Sequence, residues 1–327
     1  VVGDTQNKPD IAAGIARQWL DAEGVDVIID LPVSSVALAV QSIARDRHKV
    51  VLQTDAAAAE LTQSGCSPYA IHWADDTTAL AGGTARAVVA TGGRKWFFLT
   101  PDYVFGNTLQ ANASAVVRAL GGTVVGEAKF PLNTPDFSSP ILAAANADAD
   151  TFAFGTTGAD TVSALKQAGE FNLRAHGRRL VVPNIFLPEI HTLGLPTAQG
   201  LYVISGFYWD QNDTTRAFAQ RFFALRHRMP TKSQADAYAA TRHYLRAVRQ
   251  TGRTEGPVIG REMRRTPGDF FGQKVPIRAN GRVLYDLTLW QVKTPAESKY
   301  AWDYYKPVQH IAAADAFGPN TADCAGQ

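Results

Sequence analysis

Hydroxyl, small and aromatic residues follow apolar, strand-like runs at four places in the sequence. The four segments are VDVIIDLPVSSVALAV (25–40), KVVLQTDAAAAELT (49–62), KWFFLTPDYVFGNT (95–108) and DTFAFGTTGADTV (150–162). Each run leads into a helical pattern, and the first N–H groups of a helix have no partner within that helix. In open parallel α/β sheets, such groups face ligands beyond the carboxyl ends of the strands. The pattern therefore predicts a ligand-binding protein.

The hydroxyl residues in these turns have two interpretations each. Ser34 and Ser35 are good N-caps for the helix that follows, or their hydroxyls hold a carboxylate together with the first-turn N–H groups. Thr156 and Thr157 either cap the next helix or contact a ligand. One residue can do both, so the sequence leaves these alternatives open.

The small and aromatic residues also have a structural and a functional interpretation. Ala56 and Ala57 carry no polar group, but small side chains let an acceptor approach the backbone N–H groups closely. Tyr103 and Phe105 leave a strand just before Gly106 and indicate an aromatic pocket wall, or core packing in the case of Phe105. Residues 207–209 (Phe-Tyr-Trp) indicate either packing at a chain crossing or a pocket wall.

Sequence motifs for catalysis and for metal binding are absent. The chain contains no G-x-S-x-G, G-x-x-x-x-G-K-[ST], G-x-G-x-x-G or H-E-x-x-H pattern, and its seven histidines lack ligand spacing. The adjacent pair Asp75 and Asp76 is expected in a solvated loop, because neighbouring side chains point apart in regular structure. We therefore expect no cofactor, no metal and no catalysis.

The composition is that of an ordinary globular protein of two domains. The chain has 327 residues, 46% of them hydrophobic, and a net charge of +2, which gives no reason to expect a nucleic-acid partner. No apolar run has the length of a membrane-spanning helix. Cys66 and Cys324 lie in loop-like sequence, and either one disulfide or two free thiols is consistent with that placement.

Strand and helix patterns alternate along the chain and predict an α/β fold with parallel sheets. Apolar runs predict strands at 25–29, 50–53, 69–73, 96–99, 123–130, 151–154, 179–183 and 201–205, with a last alternating strand in 281–293. Residues 1–4 are interpreted as the end of a further strand. The helical block 214–265 is expected to pack on the first lobe, and Gly92-Gly93 to lie at a crossing between lobes.

The order of several segments resembles that of the periplasmic substrate-binding proteins of ABC importers. They are DTQNKPDIAAGIARQWLD, VDVIIDLPVSSVALAV, TDAAAAELTQSGCSP, TPDYVFGNT, NTPDFSSPI and GFYWDQNDTTRAFAQRF. The similarity is to the branched-chain amino acid type, many members of which resemble carriers of aromatic or other small organic acids. The resemblance implies two Rossmann-like lobes, joined by three hinge crossings, that close on a ligand in the cleft between them. It implies a lobe 1 of 1–93 plus 210–272 and a lobe 2 of 94–209 plus 273–327.

The resemblance also implies a set of ligand contacts. In lobe 1 they are Val33, Ser34, Ser35, Asp55, Ala56 and Ala57. In lobe 2 they are Tyr103, Phe105, Thr156, Thr157, Asn184, Phe186 and Phe207. Two departures from the amino acid-binding pattern stand out: Ala57 replaces a hydroxyl residue, and the stretch VPNIFL (182–187) carries no carboxylate for a ligand ammonium. Both favour an acid without an α-ammonium group.

A third departure is that the family's first strand and first helix do not occur in the sequence. Either the molecule contains them upstream of residue 1 or lobe 1 is incomplete, and their loss is expected to leave a gap in the sheet of that lobe. The expected function is the periplasmic, monomeric solute-binding component of an ABC transporter, which delivers a small organic acid to a permease in the inner membrane. The alternative is a ligand-sensing regulatory protein on the same fold. An α/β enzyme is a third, less favoured class.

Overall fold

The computed structural model describes residues 1–319 and Cys324, which divide into two compact units. Unit 1 comprises Val1–Asp76, Lys232–Tyr285 and the described residues from Phe317 on; unit 2 comprises Thr77–Thr231 and Asp286–Ala316. The chain therefore passes from one unit to the other after residues 76, 231, 285 and 316. None of the described helices is long and apolar enough to cross a membrane.

Helices and strands alternate through most of the chain. The helices are α1 (Pro9–Asp21), α2 (Ser34–Asp46), α3 (Thr84–Ala90), α4 (Val104–Ala119), α5 (Ser138–Ala145), α6 (Gly158–Glu170), α7 (Leu187–Leu193), α8 (Leu195–Ala198), α9 (Asp213–Arg226), α10 (Lys232–Thr251), α11 (Gly256–Arg265) and α12 (Ala313–Phe317). The strands are β1 (Val27–Ile29), β2 (Val50–Gln53), β3 (Ala70–His72), β4 (Lys95–Pro101), β5 (Thr123–Phe130), β6 (Thr151–Phe154), β7 (Arg179–Val181), β8 (Tyr202–Ser205), β9 (Gly268–Phe270), β10 (Gln273–Val275), β11 (Leu287–Val292) and β12 (Tyr305–Ile311).

Unit 1 is built on a parallel sheet of three strands in the order β1-β2-β3. Val27 in β1 pairs with Val50 in β2, and Val51 in β2 pairs with Ala70 in β3, so each strand is hydrogen-bonded directly to the next. Their side chains are largely buried, as in a sheet covered on both faces. Residues 1–5 form no strand, so the prediction of a strand end at 1–4 is wrong, and the described strands pair without the expected gap.

Unit 2 is built on a sheet of seven strands in the order β12-β11-β8-β7-β6-β4-β5. The five strands from β4 to β8 are parallel, and β11 and β12 add to the sheet as antiparallel strands. The prediction of an α/β fold with mostly parallel sheets is confirmed. Helices connect the parallel strands, which places their N-terminal ends after the carboxyl ends of the strands.

Four segments lie in a different unit from the one expected: 77–93 and 210–231 are in unit 2, and 273–285 and the described residues from 317 on are in unit 1. The chain changes unit four times, where three crossings were expected. We expect a single helix over 77–91 in lobe 1, but the structure has a π-helix over Thr78–Gly83 and then α3, both in unit 2. A Cβ on Gly83 would lie 2.7 Å from Ile204 Cδ1, so a larger residue here would require the Ile204 side chain to move. Helix α9 also belongs to unit 2, whereas α10 and α11 belong to unit 1. The first change of unit therefore comes before the helix and not at Gly92-Gly93.

A disulfide joins Cys66 to Cys324, with the two Cα atoms 5.9 Å apart. Both cysteines are fully buried, and both belong to unit 1. Because the two residues are 258 positions apart, the bond closes a very long loop and removes much conformational freedom from the unfolded chain.

Replacing both Cys66 and Cys324 with serine is expected to lower the free energy of unfolding by about 3 kcal/mol. Urea unfolding of the oxidised wild type and the double variant measures the difference. A reductant should bring the wild type to the stability of the variant and leave the variant unchanged. Equal stability of the oxidised wild type and the variant would contradict the expectation.

Candidate functional site

The turn after β1 presents a helix N-terminus without a side-chain cap. Helix α2 begins at Ser34, and the residue before it, Val33, has an extended backbone and a side chain that cannot accept a hydrogen bond. The prediction that Ser34 or Ser35 caps this helix is therefore wrong, because both serines lie inside its first turn. Ser34 is half-buried and Ser35 is exposed, which leaves their hydroxyls beside the first-turn N–H groups.

The turn after β2 combines a carboxyl group with small residues. Asp55 Oδ1 accepts a hydrogen bond of 2.6 Å from the hydroxyl of Ser233, which lies in α10. Burial raises the pKa of the Asp55 carboxyl to about 6, and the negative charge of Asp30 acts in the same direction. Asp55 therefore takes up a proton at mildly acidic pH.

The alanines of the same turn are held by a histidine from the neighbouring strand. Ala56 and Ala57 are buried, and the carbonyl oxygen of Ala56 lies 2.8 Å from His72 Nε2. A carbonyl oxygen only accepts, so Nε2 carries the hydrogen. Burial lowers the pKa of His72 well below its usual value, and the ring is therefore neutral. This contact fixes the backbone of the turn at the carboxyl end of the sheet.

In unit 2, the turn after β4 brings an aromatic pair to the N-terminus of α4. Tyr103 is half-buried with an extended backbone, and its ring centroid lies 5.9 Å from that of Phe105, which is buried. Burial raises the pKa of the Tyr103 hydroxyl, which hydrogen-bonds to the side chain of Thr157. The structure thus joins two residues that are 54 positions apart in the sequence and that follow the adjacent strands β4 and β6.

The two threonines after β6 have different surroundings. Thr156 is buried, and its hydroxyl accepts a hydrogen bond of 2.9 Å from Thr161 within the same unit. Thr157 precedes α6 but makes no side-chain cap, so the capping interpretation does not hold for it. Its side chain is half-buried and contacts Tyr103 instead. Of the two, Thr157 is the one with a partly exposed side chain.

The turn after β7 contains a carboxylate that the sequence interpretation missed. Asn184 and Phe186 are half-buried and precede α7. The backbone N–H of Phe186 donates to Glu189 Oε2 over 3.2 Å. Burial raises the pKa of Glu189. A Pro-Glu pair at positions 188–189 is a typical start of a helix, and this signal could have located the carboxylate just beyond the neutral VPNIFL stretch.

Phe207, which follows β8, lies in the interior of unit 2. Its side chain is 4% exposed, and its ring meets that of Phe218 edge to face at 6.0 Å. The hydroxyl of Ser205 donates to the Phe207 carbonyl and accepts from its N–H, which fixes the backbone. The sequence left packing and a pocket wall as interpretations of residues 207–209, and within unit 2 Phe207 is a packing residue.

The candidate residues of each unit therefore lie at the carboxyl ends of parallel strands. In the described part of the chain, no side chain caps α2, α4 or α6, so their first N–H groups are left to bind an acceptor. The positive end of a helix dipole favours an anion at this position. Within residues 1–319 and Cys324, no three His, Cys, Asp or Glu side chains are grouped to hold a metal ion.

Comparisons with known proteins agree with this geometry. The family model described as periplasmic binding protein matches residues 1–299. A periplasmic binding protein from Burkholderia mallei is 40% identical, with a TM-score of 0.93 over 99% of this chain and 86% of that chain. A branched chain amino acid ABC transporter periplasmic ligand-binding protein from Burkholderia xenovorans LB400 is 34% identical, with a TM-score of 0.88 over 97% and 85% of the two chains.

A more distant structure shows the same fold. It is an ABC transporter solute binding protein from R. palustris in complex with benzoate, 18% identical, with a TM-score of 0.85 over 95% of this chain and 84% of that chain. None of the curated proteins compared with the chain matches it. The resemblance noted in the sequence is confirmed, and the chain belongs to the family of periplasmic binding proteins.

Proposed function

We propose that the protein is the solute-binding component of an ABC transporter in the periplasm. It binds a small organic acid by hinged closure of two lobes and delivers it, chemically unchanged, to a permease in the inner membrane. Two related structures support the transport role, since a protein 34% identical is a branched chain amino acid ABC transporter component and one of the same fold holds benzoate.

The observation that carries the proposal is the set of uncapped helix N-termini after parallel strands. In unit 1 the acceptor-binding groups are the first N–H groups of α2 with the hydroxyls of Ser34 and Ser35. Val33 and the turn of Asp55, Ala56 and Ala57 complete this half of the site. These groups bind a carboxylate, because N–H and hydroxyl donors satisfy its oxygens without a second buried charge.

In unit 2 the proposed ligand contacts are aromatic and polar residues. They are Tyr103, Phe105, Thr157, Asn184 and Phe186. Thr156 and Phe207, which the resemblance also implies, are not included because they pack inside unit 2. Tyr103 and Phe105 supply an apolar wall for the body of the ligand, and an aromatic ring suits such a wall. Glu189 lies in the same region, but burial raises its pKa and so disfavours the charged carboxylate that an α-ammonium needs as a partner.

Calorimetric titration with benzoate, 4-hydroxybenzoate and leucine tests the proposed ligand class. We expect one of the benzoates to bind with a stoichiometry of one per chain and to be recovered unaltered. Tight binding of leucine with no heat from either benzoate would contradict an acid without an ammonium group. Chemical conversion of the bound acid would contradict the binding role itself.

The affinity for such an acid is expected to fall as the pH rises through about 6. The Asp55 carboxyl, with a pKa of about 6, is neutral below that pH and negatively charged above it. The charged form repels a carboxylate ligand, so the dissociation constant should rise about tenfold between pH 5 and pH 7. Titrations of the wild type and of Asp55→Asn across this range measure the effect.

The Asp55→Asn variant is the control, because its amide keeps the acceptor for Ser233 but cannot ionise. Its affinity should change little between pH 5 and pH 7. An equally steep pH dependence in the variant would show that Asp55 does not face the ligand. A rising affinity with pH in the wild type would indicate a cationic group on the ligand.

A further inference from the structure

The chain crosses between the units four times, and the unit 1 residue at each crossing belongs to one buried cluster of side chains. The first crossing follows Asp76, the second precedes Lys232, the third follows Tyr285 and the fourth precedes Phe317. These four residues are the terminal residues of the unit 1 segments, and each is at most 8% exposed. We name this group, with Asp75, Asp236 and Arg282, the crossing cluster.

Lys232 and Tyr285 connect the second and third crossings to the first. Lys232 Nζ donates to Asp236 Oδ2 over 2.6 Å and to the Tyr285 hydroxyl over 2.9 Å, and lies 3.4 Å from Asp75 Oδ1. The Tyr285 hydroxyl lies 2.7 Å from Asp75 Oδ1 and 2.6 Å from the carbonyl oxygen of Trp73. The ends of three crossings are therefore joined by side chains that share hydrogen bonds.

Arg282 connects the first crossing to the fourth. Its guanidinium donates to Asp76 Oδ2 and to the carbonyl oxygens of His72 and Ala74. The same guanidinium lies over the ring of Phe317 at 4.7 Å, and that ring meets Tyr285 edge to face at 5.3 Å. All four ends are thus held in one connected set of contacts within unit 1.

The charged side chains of the crossing cluster are buried at a cost in free energy. It places two cations and three carboxylates out of water, which costs several kcal/mol for each unpaired ion. Asp75 and Asp76 are buried, so the prediction that they lie in a solvated loop is wrong. Burial raises the pKa of Asp236 well above its usual value.

The cluster also contacts the proposed ligand turn at two places. Ser233, the neighbour of Lys232, donates to Asp55, and His72, whose carbonyl oxygen accepts from Arg282, holds the carbonyl of Ala56. The proposed ligand turn is thus joined by hydrogen bonds to residues that adjoin or contact the crossing cluster. On the far side of the first crossing, the chain continues directly into the π-helix Thr78–Gly83, a form that is rare and often placed at functional positions.

We propose that the crossing cluster is the rigid anchor of the hinge, so that the chain bends only on the unit 2 side of Asp76, Lys232 and Tyr285 and, at the fourth crossing, ahead of helix α12, which ends at Phe317. This inference rests on hinged closure as the proposed function. It assigns to Lys232, Tyr285 and Arg282 a positioning role, with no direct contact to the ligand. The flexible side of each crossing is then the unit 2 side, beginning at Thr77 in the first of them.

Hydrogen exchange of Tyr285→Phe against Tyr244→Phe tests the anchor. The first change removes the hydroxyl bonds to Asp75, Trp73 and Lys232 but keeps the ring. The second makes the same change at a buried tyrosine of α10 in the same unit. We expect amides of 73–76, 232–234 and 283–285 to exchange about tenfold faster in Tyr285→Phe than in Tyr244→Phe. Exchange elsewhere in unit 1 should be the same in both.

Equal exchange of the three segments in the two variants would overturn the anchor. If Tyr285→Phe fails to fold, the double variant Lys232→Met, Asp236→Leu replaces the ion pair with apolar side chains, and its exchange is judged by the same criterion. The measurement uses the protein without ligand. Failure of the proposed function would instead appear as absence of ligand binding by the wild type, so the two failures are distinguishable.

Discussion

Replacing Tyr103 with alanine is expected to weaken binding of the organic acid about 100-fold. The ring forms an aromatic pair with Phe105, and its hydroxyl contacts Thr157, so the change removes both an apolar wall and a polar contact. Because Tyr103 is only half-buried, its loss should change the melting temperature little. Calorimetric titration and thermal unfolding of the same preparations measure the two effects.

The conservative variant Tyr103→Phe separates the two contributions. It keeps the ring and loses the hydroxyl, so we expect most of the affinity to remain. An alanine variant that binds as tightly as the wild type would exclude Tyr103 from the site. An alanine variant that melts far below the wild type would show that the residue is needed for folding instead.

Replacing Lys232 with methionine is expected to lower the free energy of unfolding by about 4 kcal/mol. Methionine retains the length of the side chain, but the buried carboxylates of Asp236 and Asp75 lose the cation that lies 2.6 Å and 3.4 Å away. An uncompensated buried charge costs far more than the loss of an exposed ion pair. Urea unfolding monitored by circular dichroism gives the free energy.

Lys95→Met is the matched control. Lys95 also lies 2.7 Å from a carboxylate, that of Asp148, but both side chains are more than half exposed. This variant should unfold almost as the wild type does. A comparable loss of stability in both variants, or none in Lys232→Met, would show that burial of the crossing cluster is not what makes the ion pair important.

The sheet strands could be predicted from the sequence because their signal is local. The continuous apolar runs around β1, β2 and β6, and the longer one around β4, identify buried parallel strands by composition alone. Strand β5, at the edge of its sheet, alternates between exposed and partly buried residues instead. The alternating run that contains β11 likewise predicted a strand correctly. The sheet geometry predicts where the proposed ligand turns lie, at the carboxyl ends of these strands, and the family resemblance indicates which of their side chains to consider.

The remaining features depend on partners far away in the sequence. Asp76 is buried because Arg282, 206 positions later, pairs with it, and Asp75 because Tyr285 lies 210 positions later. No local pattern reports such a partner, and a local interpretation therefore places both aspartates in water. The same holds for Ser233, which reaches Asp55 from a helix 178 positions away. The change of unit at residue 76 likewise depends on how Thr78–Gly83 packs within unit 2.

Native mass spectrometry of the protein purified from its own host tests the central claim most directly. The account predicts a complex of one chain with one small organic acid that lacks an amino group, released intact on unfolding. A retained amine or amino acid would contradict the proposed ligand class. A protein that retains nothing and also binds none of the tested acids in titration would contradict the solute-binding function.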